Sequence, residues 1–153
     1  CIRDRFHIFF AFSWIIGGVA LCLLVFTVHP ESGDELYMRS RILQIIDDYF
    51  IICGAFGSLI TGLIYSIWTN WGFFKHRWII VKWVMIILQM AFGTWVLGPC
   101  INNNVIIANQ LRDAALTDPV FLDNIQTTQI WGTVQTVLLL VLIFISVQKP
   151  WKK

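Results

Sequence analysis

Charge is scarce in this sequence. Only 13% of its 153 residues are Asp, Glu, Lys or Arg, about half the share of a soluble domain. Apolar residues reach 58%, and the mean hydropathy is +0.72. A water-soluble globular fold is excluded by that balance. Disorder is excluded too, because it needs low hydrophobicity and high charge. A net charge of +2 with no basic stripe leaves no case for nucleic-acid binding. Thiol and imidazole groups are also few. The four cysteines (Cys1, Cys22, Cys53 and Cys100) form no C-x-x-C pair, so neither a redox dithiol nor a zinc knuckle is indicated. Three scattered histidines do not supply a transporter-type metal site.

What is abundant is long apolar runs. Crossing about 30 Å of hydrocarbon takes roughly 20 helical residues. Four runs qualify, at about 6–28, 49–69, 78–97 and 127–147. They do not alternate apolar with polar, as barrel strands would. In lipid the backbone must satisfy itself within the segment, so they read as helices. The sequence therefore predicts an all-α fold: residues 1–153 as one integral membrane domain, a four-helix transmembrane bundle in the lipid bilayer.

Sorting the charges by side orients it. The N-terminus, middle loop and C-terminus hold eight Lys and Arg against Asp4 alone, a balance of +7. The first and third loops hold Arg39, Arg41 and Arg112 against eight acids, a balance of −5. Cytoplasmic loops carry the Lys/Arg excess. The expected topology is N-in and C-in, in a bacterial cytoplasmic (inner) membrane. Trp68, Trp71, Trp78 and Trp151 at the same boundaries fit the headgroup level.

Both outer loops read as amphipathic helical extensions. Leu36, Tyr37, Ile42, Leu43, Ile45 and Ile46 recur at helical spacing ahead of the second span. Residues 105–116 do the same after the third. Asp118-Pro119 looks like an N-cap followed by proline at the first helical position, so the fourth helix begins there. Asp47-Asp48 reads as a solvated pair at the membrane edge, since adjacent residues do not share a helix face. The short middle loop makes the second and third spans antiparallel neighbours.

Small residues mark the second span. Gly54, Ser58, Gly62 and Ser66 recur every four residues, a face that lets backbones approach closely. Two uses are open: packing inside the bundle, or a seam for a homodimer or a flat cofactor. Gln89, Gln129 and Gln135 are expected to face the interior and bond between helices. A disulfide between Cys53 and Cys100 is conceivable in an oxidising compartment. Buried inert thiols, with Cys22 among them, are the alternative.

Ionisable residues inside spans are functional candidates. His7 and Lys82 qualify, both near the cytoplasmic surface, with His76 at the mouth of the third helix. Neutral imidazole is a common haem ligand, and bundle cores are common cofactor sites. The plainer alternatives are snorkelling for Lys82, an interfacial hydrogen bond for His7 and a solvated basic loop for His76.

The stretch from His7 through Trp14 to Gly17 resembles the first helix of the HemJ family, four-helix bacterial membrane proteins that oxidise protoporphyrinogen and bind haem b. Met38-Arg39-Ser40-Arg41-Ile42 and Trp78-Ile79-Ile80-Val81-Lys82 extend the likeness over roughly residues 7–85. Similar helices occur in CopD-like proteins and in an uncharacterised family of predicted integral membrane proteins. The resemblance implies haem b with His7 as axial ligand and metal contact, and His76 as a candidate second one. It places Trp14, Gly17, Arg39, Arg41 and Lys82 near the cofactor. It implies a redox role on a porphyrin or quinone, as in a HemJ-like oxidoreductase. The alternative is a non-enzymatic membrane protein, a transporter subunit or structural partner, without a cofactor.

Overall fold

The computed structural model describes residues 2–68 and 77–148, with the side chains of residues 2–4 and 78 outside the description. Nearly all of the described residues are helical and none is in a strand. The chain runs α1 (Ile2–Thr27), α2 (Gly33–Ile46), a π-turn (Asp47–Ile52), α3 (Cys53–Trp68), α4 (Arg77–Phe92), a second π-turn (Gly93–Leu97), α5 (Gly98–Leu111), a 3-10 turn (Arg112–Thr117) and α6 (Pro119–Gln148). Four stretches are long and apolar enough to cross a membrane: Arg5–Thr27, Gly33–Trp68, Ile79–Thr117 and Pro119–Gln148. The protein is a multi-pass membrane protein built as an all-α four-helix bundle.

Two of the helices exceed a bilayer. Gly33–Trp68 has 36 residues, roughly 54 Å at 1.5 Å per residue. The lead-in before the second span is therefore continuous with it, through the π-turn. The third helix also runs on past Leu97, through Gly98 and Pro99. Proline is tolerated there because it opens α5 directly after a π-turn, where regular bonding is already interrupted.

Local chemistry sets the ends. The hydroxyl of Ser32 accepts from the amide of Glu35 at 3.3 Å, and the Glu35 carboxylate accepts from the amide of Glu31 at 2.9 Å. Together they make a capping box that starts α2. At α6 the carboxylate of Asp118 accepts from the amide of Phe121 at 2.8 Å, with Pro119 opening the helix.

The closest packing joins α1 to α3, and the small face of α3 makes it possible. A Cβ on Gly54 would meet the Trp14 amide nitrogen at 2.6 Å, and one on Gly57 would meet the Phe10 ring at 2.2 Å. Two of the four small residues, Gly54 and Ser58, are thus buried within one chain. Only Gly62 and Ser66 of that set remain half-exposed for any second copy. Gly17 is likewise filled, by Ile51 and Phe50. On its other side α1 meets α6, where Gly18 lies against Thr136 and Gly132 against Leu21. The α4 backbone packs on α6, and α3 and α4 border opposite walls of a cavity.

The core is divided along the axis. Trp14, Ala55 and Leu139 form one cluster, and Leu21, Val25, Leu43 and Ile101 the next. Leu36, Ala108, Ala115 and Phe121 tie α2, α5, the 3-10 turn and α6 together at the end that carries the first and third loops. Phe9, Phe12, Ile16, Leu23 and Phe26 lie along the outside of α1, where lipid replaces a protein partner.

Candidate functional site

Near the chain termini, His7 of α1 reaches α3. Its Nδ1 lies 2.7 Å from the hydroxyl of Thr61, and its ring meets Tyr65 edge-on at 5.7 Å. The Thr61 hydroxyl donates to the Gly57 carbonyl at 2.6 Å, so its lone pair faces the histidine. In the tautomer with its proton on Nδ1, the imidazole donates to that hydroxyl. A Cβ on Gly62 would lie 3.9 Å from both His7 Cε1 and Trp83 Cη2, so α1, α3 and α4 converge at that glycine. Lys82 is half-buried on α4 beside Trp83. His76 lies outside the described residues.

The other residues that the HemJ likeness assigns to a cofactor are elsewhere. Arg39 is buried at the loop end and donates to the Val28 carbonyl at 2.8 Å. Arg41 is exposed and bonds Gln44. In one continuous helix Arg39 stands 22 residues from Thr61, roughly 33 Å along the axis. No single porphyrin touches both His7 and the arginines. Trp14 and Gly17 lie between, Trp14 packed on α3 and Gly17 on the first π-turn.

A second place was not legible as a site. Asp47, expected at a solvated edge, is only 9% exposed, whereas Asp48 does lie in the open. Asp47 continues the buried stripe of Leu36, Ser40 and Leu43 along α2, and Asp48, one residue on, turns to the outside. Among the described residues the Asp47 carboxylate makes no hydrogen bond or ion pair. It borders a cavity of about 330 Å³ between α3 and α4, with Trp14, Phe56, Met90 and Gln135 among its walls. A smaller cavity of about 50 Å³ toward α6 shares Trp14, Asp47, Gly93 and Gln135. Both π-turns contribute to both cavities, and π-turns recur at functional sites.

Gln89 and Gln135 form the wall across from Asp47. The Gln89 side-chain amide donates to the Gln135 carbonyl at 3.4 Å, and the Gln135 amide donates to the Gln89 carbonyl at 3.2 Å. This reciprocal clasp joins α4 to α6. It uses one N–H of each amide and leaves the buried Gln89 Oε1 without a donor. Gln89 is 5% exposed. No family model, curated protein or solved structure matches this chain. Geometry alone therefore ranks the two places. Three described cysteines, Cys22, Cys53 and Cys100, are free thiols, and no group of three or more His, Cys, Asp or Glu is gathered for a metal among the described residues.

Proposed function

We propose that this multi-pass membrane protein binds a small, partly apolar molecule in the cavity around Asp47. The observation that carries the reading is a buried carboxylate with no partner among the described residues, set in a largely apolar cleft of about 330 Å³. Small-molecule sites have volumes of roughly 300–1,000 Å³ and apolar walls with a few convergent polar groups. A buried, unpaired carboxylate costs several kcal/mol, so a ligand that compensates it accounts for its presence. Gly93 supplies the test. A Cβ there has open space, with Gln135 Oε1 nearest at 3.9 Å, so Gly93→Leu fills the cleft without breaking the helix contact. Neutral, cationic and anionic phenyl compounds are screened by thermal shift in lipid nanodiscs. A compound at a hundred times its Kd stabilises by about 2.7 kcal/mol. The expected result is a shift in the wild type that Gly93→Leu abolishes. Shifts of equal size in both proteins count against the cavity.

A second reading, haem b ligated by His7, is favoured by the hydrogen bond at Nδ1. Metal-bound histidines donate their other ring N–H to an oxygen, and Thr61 offers His7 such an oxygen. His7 would hold the iron with Thr61 orienting the ring, and Arg39 and Arg41 stand too far away to hold the same group. Bound haem would supply one-electron redox chemistry. The absorbance of protein expressed with haem supplied tests this reading. A Soret band lost in His7→Ala and kept in Arg39→Gln is expected. A colourless, folded protein refutes it. The charge asymmetry supports N-in and C-in insertion in a bacterial inner membrane, which cysteine accessibility in whole cells checks.

A further inference from the structure

We infer that the cavity around Asp47 takes an organic cation: an ammonium group carried on a compact apolar body. This rests on reading the cavity as a ligand site. The walls decide the class by what they offer. The one charged group of the wall is the Asp47 carboxylate, and Gln89 Oε1, which has no donor, and Gln135 Oε1 near Gly93 add neutral acceptors beside the indole N–H of Trp14. Each glutamine amide gives one of its two N–H groups to the other's carbonyl. Thr94 and Asn102, on the exposed margin, are the remaining polar side chains. Among the described residues, no Lys, Arg or His lines either cavity. An anion would meet a carboxylate and no positive partner. A neutral guest would leave the carboxylate uncompensated.

A bare metal ion is disfavoured by the rest of the wall. Hard cations take six or more oxygen ligands, and this wall is mainly Trp14, Ile51, Ile52, Phe56 and Met90. Those side chains suit a hydrocarbon body. Trp14 and Phe56 add ring faces, which attract ammonium groups. The surroundings act in the same direction. The first and third loops carry three cations against eight acids, a field that concentrates positive solutes at that end.

Radiolabelled benzyltrimethylammonium, measured by equilibrium dialysis in phosphatidylcholine nanodiscs, tests the inference. Neopentylbenzene is its uncharged isostere. The wild type is expected to bind the cation, and neopentylbenzene is expected not to displace it. Asp47→Asn should weaken binding at least tenfold, and Asp48→Asn, on the exposed neighbour, should leave it unchanged. Gln89→Met, which removes one acceptor and keeps the side chain's length, should weaken it several-fold and carries the test if Asp47→Asn does not fold. The inference is overturned if the wild type does not bind the cation. It is also overturned if Asp47→Asn or Gln89→Met binds as well as the wild type, or if Asp48→Asn loses as much as Asp47→Asn. If neopentylbenzene binds equally well and Gly93→Leu blocks it, the cavity remains a ligand site and the cation class falls. If Gly93→Leu leaves all binding intact, the cavity reading falls with it.

Discussion

Gly54→Ala is expected to lower stability by about 3 kcal/mol, the upper part of the range for overpacking. The added methyl has nowhere to go. It would stand 2.6 Å from the Trp14 amide nitrogen and 2.9 Å from the Phe10 carbonyl oxygen, both backbone atoms of α1. A side chain can rotate away from such a contact, but a helix backbone moves only as a unit. Relief requires α1 to slide off α3, and that opens the Trp14–Ala55–Leu139 cluster. It also pulls His7 from Thr61. Unfolding by denaturant in mixed micelles is the measurement. Gly62→Ala is the control, because its Cβ meets atoms only at 3.9 Å. That variant should stay within about 0.5 kcal/mol of the wild type. Equal stability for the two alanine variants would mean that α1 and α3 are not held at this distance.

Gly33→Ala should be similarly damaging at the other end, by about 2–3 kcal/mol on the same overpacking scale. Its Cβ would lie 2.3 Å from the Asp113 amide nitrogen and 2.4 Å from the Arg112 carbonyl carbon. The Gly33 amide also donates to the Asp113 carboxylate at 2.5 Å, so the first loop is clamped on the 3-10 turn. Arg112 has a positive φ of 47°, a conformation that costs about 1–3 kcal/mol and persists only where the surroundings fix it. Its guanidinium is held by Asp34 at 3.1 Å and lies 4.6 Å from the Tyr37 ring centre. Forcing Gly33 away removes that support together with the clamp. Hydrogen exchange should rise together in residues 112–117 and 33–40. Asp34→Asn removes only the exposed ion pair and should cost less than about 1 kcal/mol. If Gly33→Ala exchanges like the wild type, the clamp does not order this end.

How much of this was readable beforehand follows from the range of each interaction. The four spans were legible because length and apolarity act within a segment. Asp118-Pro119 was legible because a cap and its helix are neighbours in sequence. The Ser32–Glu35 cap was equally local. The small face of α3 announced close packing but not the partner, and α1 is settled only by Gly54 meeting Trp14. His7 and Thr61 are 54 residues apart, and Gln89 and Gln135 are 46 apart. Sequence gives each an inward direction and no address. Asp47 misled for a different reason. Its position continues the apolar stripe of Leu36 and Leu43, but a carboxylate on an amphipathic lead-in reads as part of the wet face.

The two π-turns have a consequence for how such a cavity arises. A π-turn carries one residue more than an α-helix uses for the same rise. Removing it lets the turn close as regular α-helix, so the flanking halves keep their rise and register while the residues inside the turn are re-aimed. Loss of a single codon among residues 48–50 would therefore redraw the stretch of wall that Asp47, Ile51 and Ile52 supply without deleting any of the three. The same holds at Gly93–Leu97 for the opposite helix. The pocket is encoded as much by a count of residues as by their identity. Insertions and deletions, rather than substitutions, are the changes through which descendants of this chain would gain or lose it.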